Sequence, residues 1–145
     1  MPFAFLNDKM SVAPQITPDD LPDIVAQGFK AVICNRPDIE VPPDLSTEAL
    51  QAACEGAGLP FFNNPLSPGG LTAEAVAGQA HVMGETDGPV LAYCASGTRS
   101  ALLWAFATAG QGDLSTEDIV KALDSAGYAF PAIGPQLEQF AAQAR

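Results

Sequence analysis

Three apolar runs of strand length, Lys30–Cys34 (KAVIC), Pro60–Phe62 (PFF) and Pro89–Cys94 (PVLAYC), are each bounded by Gly, Pro or Asn and separated by stretches of helical length. Short, continuously apolar runs of this kind fit strands buried on both faces. Strands alternating with helices of ten or so residues imply right-handed crossovers and a mainly parallel sheet with helices on both faces. The expected class is therefore α/β, with residues 1–145 forming one domain, a size that buries roughly 68–70% of the surface its unfolded form exposes.

Helix boundaries are marked by cap residues. Thr17–Gln27 opens on a cap, has Pro18 at its first position and Asp19-Asp20 in its first turn, and stops at Gly28. Ser46–Ala57 begins at Ser46 and stops at Gly58, and Thr72–Met83 begins at Thr72 and stops at Gly84. Ser100–Ala109 stops at Gly110, Ser115–Ala126 stops at Gly127, and Pro135–Ala144 forms a last helix. Ligands of such sheets gather beyond the carboxyl ends of the strands. Here those ends are Cys34-Asn35-Arg36, the stretch Asn63–Ser67, and Cys94–Arg99.

Composition narrows the function. A formal net charge of −11 repels nucleic acid and anionic membrane surfaces, whose binding depends on clustered Lys and Arg. The first residues carry a short apolar patch and one lysine, and no run approaches about 18 apolar residues, so neither a secretory signal nor a membrane span is expected and the reading is cytoplasmic. Cys34, Cys54 and Cys94 lie far apart with no CxxC pair, which suggests reduced thiols with neither a zinc site nor a disulfide scaffold. No metal or cofactor is expected.

The segment Cys94-Ala95-Ser96-Gly97-Thr98-Arg99 joins an expected strand to an expected helix. Gly97 can adopt backbone angles closed to other residues, Ala95 and Ser96 are small, and successive amides can then point at one anion. The helix start adds its positive end, and Arg99 adds a forked pair of donors. Such surroundings favour a thiolate over a thiol, so Cys94 is expected to be the nucleophile and Arg99 its catalytic partner, with Ala95, Ser96, Gly97, Thr98 and Ser100 forming the substrate-binding loop. Thr98 or Ser100 is a candidate donor to the sulfur or to the leaving group, and a simple helix cap is the competing role for either hydroxyl. The competing role for Cys94 is a small buried hydrophobe at a strand end.

Taken together, Ser11–Leu21 (SVAPQITPDDL), Asn35-Arg36-Pro37-Asp38, Pro65–Gly69 (PLSPG) and Tyr93–Trp104 (YCASGTRSALLW) resemble one bacterial family, the phosphatase-like domain of the beta-lactamase-hydrolase-like proteins. The likeness covers nearly the first 110 residues. It implies a fold like that of dual-specificity tyrosine phosphatases, with the cysteine loop after the middle strand of the sheet. It also implies phosphatase or sulfurtransferase activity, and for some members fusion to a persulfide- or sulfide-oxidising enzyme.

Two departures from the tyrosine-phosphatase pattern bear on the reaction. Tyrosine phosphatases place five residues between Cys and Arg, whereas this chain has four, as in the rhodanese loop. A tighter ring suits a persulfide or sulfonyl group better than a phosphoryl group. The expected acid loop, Asn63–Gly70, contains no carboxylate, although a general acid contributes about 10²–10⁴-fold to ester hydrolysis, and Tyr93 stands where tyrosine phosphatases carry His. Sulfur transfer through a Cys94 persulfide has no obligatory acid. The preferred expectation is thus a rhodanese-type sulfurtransferase taking sulfur from a small anionic donor to a thiol acceptor. The alternative is a phosphatase acting on a phosphate ester through phosphocysteine, and the third reading is a non-catalytic anion or persulfide sensor. The resemblance also implies, from the fusions seen in some members, a sulfide-oxidation enzyme as a protein partner.

Around this loop Arg36, Asn35 and Ser67 are possible pocket residues, and surface pairing of Arg36 with Asp38 is an equal reading for that arginine. In the resembled fold Cys34 neighbours the Cys94 strand, as a resolving thiol would, but its alternation with core residues favours a buried filler. His81 has no partner acid at a useful spacing, and Cys54 and Trp104 fit packing rather than chemistry.

Overall fold

A computed structural model of the chain describes residues 3–112 and 114–144. Its strands are β1 (Ala4–Phe5), β2 (Met10–Ala13), β3 (Ala31–Cys34), β4 (Phe61–Asn63) and β5 (Val90–Tyr93). They form one sheet in the order β1-β2-β5-β3-β4, with β2, β5, β3 and β4 parallel and β1 antiparallel to β2. The β1–β2 hairpin is absent from the sequence expectations because β1 is two residues long. A turn residue marks it: Asn7 Oδ1 accepts from the amides of Lys9 (2.9 Å) and Met10 (3.0 Å).

The helices are α1 (Leu21–Ala26), α2 (Thr47–Gly56), α3 (Ala73–Glu85), α4 (Thr98–Gln111), α5 (Thr116–Ser125) and α6 (Ile133–Gln143). Ser46, Thr72 and Ser115 accept from the amides of Ala49, Ala75 and Asp118, as their sequence positions predict. Thr17 precedes a 3-10 turn at Pro18–Asp20 that leads into α1, and the Asp20 carboxylate accepts from the Thr17 amide at 2.8 Å. Two expected stops differ. Gly84 and Gly110 lie inside α3 and α4, and α4 ends instead on Gly112, whose φ of 77° supplies the left-handed cap. Gly110 is a packing position: a Cβ there would sit 3.0 Å from the Phe140 ring of α6.

Strand side chains alternate between two cores. Val12, Ile33 and Ala92 face the α3–α6 layer, packing with Val76, Trp104, Ile119 and Leu137. Val32, Leu91 and Tyr93 face α1 and α2, packing with Ile24, Leu50 and Cys54. Helix α4 is buried along most of its length, because α3, α5 and α6 all pack against it. The sheet therefore delivers the end of β5 to the middle of the molecule, flanked by the ends of β2 and β3.

Candidate active site

Strand β5 ends at Tyr93, and the next residue, Cys94, opens the turn into α4. The flanking strands hold this turn through backbone bonds: Asn35 N donates to Tyr93 O (2.8 Å), Cys94 N to Ala13 O (3.4 Å) and Gln15 N to Ala95 O (3.3 Å). Gly97 takes φ 91°, which a glycine adopts without strain, and caps α4. Its amide thereby turns back onto the nucleophile candidate and donates to Cys94 Sγ at 3.1 Å. Cys94 is buried at the floor of the turn, whereas Ala95, Ser96 and Thr98 are exposed on its rim.

Arg99 sits on the first turn of α4. Its Nη1 and Nη2 bond the two oxygens of Glu40 at 2.9 and 2.8 Å, and Nη1 also donates to Leu66 O at 2.7 Å. Of the five guanidinium N–H donors these use three, so Nε–H and the second Nη2 hydrogen are uncommitted to any oxygen among the described residues. Those two form the other forked edge of the group. Arg99 is held above its ordinary value, first by the Glu40 bonds, against the opposing effect of burial, and then by the charge of Cys94. Glu40 is correspondingly held below the usual carboxylate range, chiefly by Arg99 and also by Arg36, with burial opposing.

The remaining expected site residues divide. Arg36 lies at the site but does not pair with Asp38. Its Nε bonds Glu40 Oε1 (3.2 Å) and its Nη1 bonds Gln15 Oε1 (3.2 Å), while Asp38 binds the Thr47 amide and hydroxyl at the start of α2. Asn35 is not a pocket residue. It is fully buried and anchors a closed network, its Nδ2 donating to Asn64 O and Gln79 Oε1 and its Oδ1 accepting from Ser100 Oγ (2.8 Å). The Ser100 hydroxyl is therefore committed to Asn35 rather than to the sulfur. Thr98 Oγ1 accepts from Ser96 Oγ at 2.9 Å, and among the described residues neither candidate hydroxyl is hydrogen-bonded to Cys94, whose sulfur accepts from the Gly97 amide. Ser67 is exposed on the loop after β4.

Cys34 faces the α1–α2 core beside Tyr93, and its thiol donates to Arg36 O at 3.3 Å. Burial, partly offset by these polar neighbours, pushes the thiol up, away from the reactive form. Tyr93 shares that core, facing away from the side taken by Ala92, and burial pushes its phenol up. Cys54 is buried on α2 and pushed up to about 11 by burial, Trp104 is buried in α4, and His81 is exposed on α3. No group of three or more metal-ligating side chains occurs among the described residues, and none of their helices is long and apolar enough to cross a membrane.

Sequence reasoning missed Glu40, Gln15, the Leu66 carbonyl and Tyr128. Glu40 had a signal in its position four residues after Arg36, just beyond a strand end. Tyr128 had none: it lies between α5 and α6, and its hydroxyl donates to Ser96 O at 3.2 Å.

Comparison with solved structures places this architecture in the tyrosine- and dual-specificity-phosphatase-like class, a cysteine-based scaffold. A crystal structure of a candidate phosphatase from Neisseria meningitidis matches with a TM-score of 0.81 at 30% identity, over 97% of this chain and 99% of that one. PTPMT1, solved with PI(5)P, matches with a TM-score of 0.78 at 14% identity over 99% and 97% of the two chains, a likeness of fold alone. Within that class, the chain belongs to the family of the beta-lactamase hydrolase-like protein phosphatase-like domain, whose family model matches residues 2–111. The beta-lactamase hydrolase-like protein of Agrobacterium fabrum is 32% identical over 114 residues, which is 79% of this chain and 26% of that protein. The chain thus spans about a quarter of the length of the curated relatives it matches.

Proposed function

We propose that the chain is a cysteine-dependent phosphoric-ester hydrolase in which Cys94 accepts the phosphoryl group. The observation that carries this reading is the convergence of donors on one point, with the Gly97 amide on Sγ and the Arg99 guanidinium beside it at the start of α4. The Neisseria structure, similar over nearly the whole chain and described as a candidate phosphatase, supports it. This reverses the preference drawn from the sequence, since the Neisseria structure and PTPMT1 are both phosphatase-like.

In the first step Cys94 Sγ attacks phosphorus. An S–P bond forms as the ester P–O bond breaks, and the electron pair leaves on the ester oxygen while Arg99 and the loop amides hold the phosphoryl oxygens. Water then attacks phosphocysteine, the S–P bond breaks, and phosphate and the thiolate are released with a proton passed to solvent. The leaving oxygen has no carboxylic acid on the 63–70 loop to protonate it, and Glu40 is ionised and bound to two arginines. The preferred substrates are therefore those whose leaving group departs as a stable anion: aryl phosphates, acyl phosphates and phosphoanhydrides.

Sulfur transfer remains a second reading on one observation, the four-residue spacing from Cys94 to Arg99 in a ring that also lacks a proton donor of the usual kind. One protein preparation separates the two. Hydrolysis of an aryl phosphate, faster than that of an alkyl phosphate and lowered about 10³-fold or more in Cys94→Ser, is the result expected for the hydrolase. A one-sulfur mass adduct formed with thiosulfate and discharged to a thiol, without Cys94-dependent phosphate release, would transfer the assignment to sulfur chemistry.

A further inference from the structure

The Ser96–Gly97 peptide group is bonded on both of its edges. Its N–H donates to Cys94 Sγ at 3.1 Å, and its C=O accepts from Tyr128 Oη at 3.2 Å. In a trans peptide these two groups point in opposite directions, so fixing the carbonyl fixes where the amide aims. We propose that Tyr128 is a positioning residue for the nucleophile: its hydroxyl anchors the Ser96 carbonyl and thereby keeps the Gly97 amide directed at the Cys94 sulfur. The inference rests on Cys94 acting as a thiolate, whichever group it accepts.

Three features of the structure support it. Gly97 and Tyr128 are in close contact, because a Cβ on Gly97 would collide with the phenol oxygen and ring while also straining φ at 91°. The backbone of Tyr128 is fixed by the end of α5, where its amide donates to Leu123 O (2.9 Å), and Leu123 is itself buried in the core. Burial, followed by the charge of Cys94, pushes the phenol above its ordinary value, so that at neutral pH it keeps its proton and serves the carbonyl as a donor. A chain of bonds from phenol through peptide to sulfur also polarises in one direction, which strengthens the final N–H···S contact as negative charge develops. Tyr128 lies outside residues 2–111, so this support comes from a segment that the family model does not reach.

The test is a pH titration of thiolate ultraviolet absorbance in the full chain, taken as the difference between each protein and its Cys94→Ser counterpart. Tyr128→Phe, which keeps the ring and removes the hydroxyl, is expected to move the midpoint upward by roughly half a unit to one unit, the contribution of one hydrogen bond. Tyr128→Leu is expected to move it at least as far and to lower the melting temperature as well. A Tyr128→Phe curve superimposed on the native one, with only Tyr128→Leu displaced, would assign the residue to packing and overturn the proposal. Failure of the native protein to show any Cys94-dependent thiolate absorbance across the titration would remove the nucleophile reading itself, and the proposal with it.

Discussion

Glu40 bears two guanidinium groups at once: its Oε1 meets both Arg99 Nη2 and Arg36 Nε, and its Oε2 meets Arg99 Nη1. A carboxylate placed there orients Arg99 so that one forked edge is occupied and the other has no oxygen partner among the described residues. Glu40→Gln keeps the shape and loses the charge, and the expected outcome is a fall of about 10–10²-fold in kcat/KM for an aryl phosphate, read by steady-state kinetics. Both side chains are partly exposed, at 15% and 21%, so the stability loss is expected to be about 1–2 kcal/mol at neutral pH by urea unfolding. The sign with pH follows from the lowered folded value of Glu40. Its contribution is fully present above the ordinary carboxylate value of about 4.3 and is lost as the pH falls through the folded value, so native and Glu40→Gln stabilities should converge in acid.

At the scale of elements, the site depends on a buried polar network tying β3 to α3, α4 and the loop after β4. Asn35 receives Ser100 from α4 and bonds Gln79 from α3, Asn64 Nδ2 bonds the same Gln79 oxygen, and the Asn35 carbonyl accepts from Leu66 N. Leu66 in turn presents its carbonyl to Arg99. A hydrogen-bonded network in a low-dielectric interior is specific in geometry, and removing one member leaves the others desolvated without partners. Asn35→Ala is therefore expected to lower stability by about 2–4 kcal/mol in denaturant unfolding and to reduce activity through a displaced Arg99. Gln79→Ala, which meets Ser100 only through Asn35, should reproduce the stability loss with a smaller effect on activity. The strand ends expected from sequence to form an open pocket are thus partly a solid support.

For the whole molecule, α5 and α6 close the core over α4 and carry Tyr128 to the loop between Cys94 and Arg99. Leu137 of α6 is fully buried there with Trp104 and Ile119. Leu137→Ala is expected to lower stability by about 2–5 kcal/mol, measured by thermal and denaturant melts. Because α6 lies beyond the loop that holds Tyr128, the same variant should leave Cys94 thiolate formation less affected than Tyr128→Phe does.

Local signals in the sequence determined three of the five strands, the helices, the three caps at Ser46, Thr72 and Ser115, and the turn at Gly97 in a strand-to-helix loop running from Cys94 to Arg99. Each depends on residues within a few positions of one another, where backbone sterics and period dominate. Tertiary structure decided the rest: that Glu40 engages Arg99 59 residues away, that Asn35 and Ser100 turn to each other 65 residues apart, and that Tyr128 reaches Ser96 across 32. It also decided that Gly110 serves packing against Phe140 and not helix termination. A side chain's partner at such separations is set by which strands neighbour each other and which helices share a face, information that no short window of sequence contains.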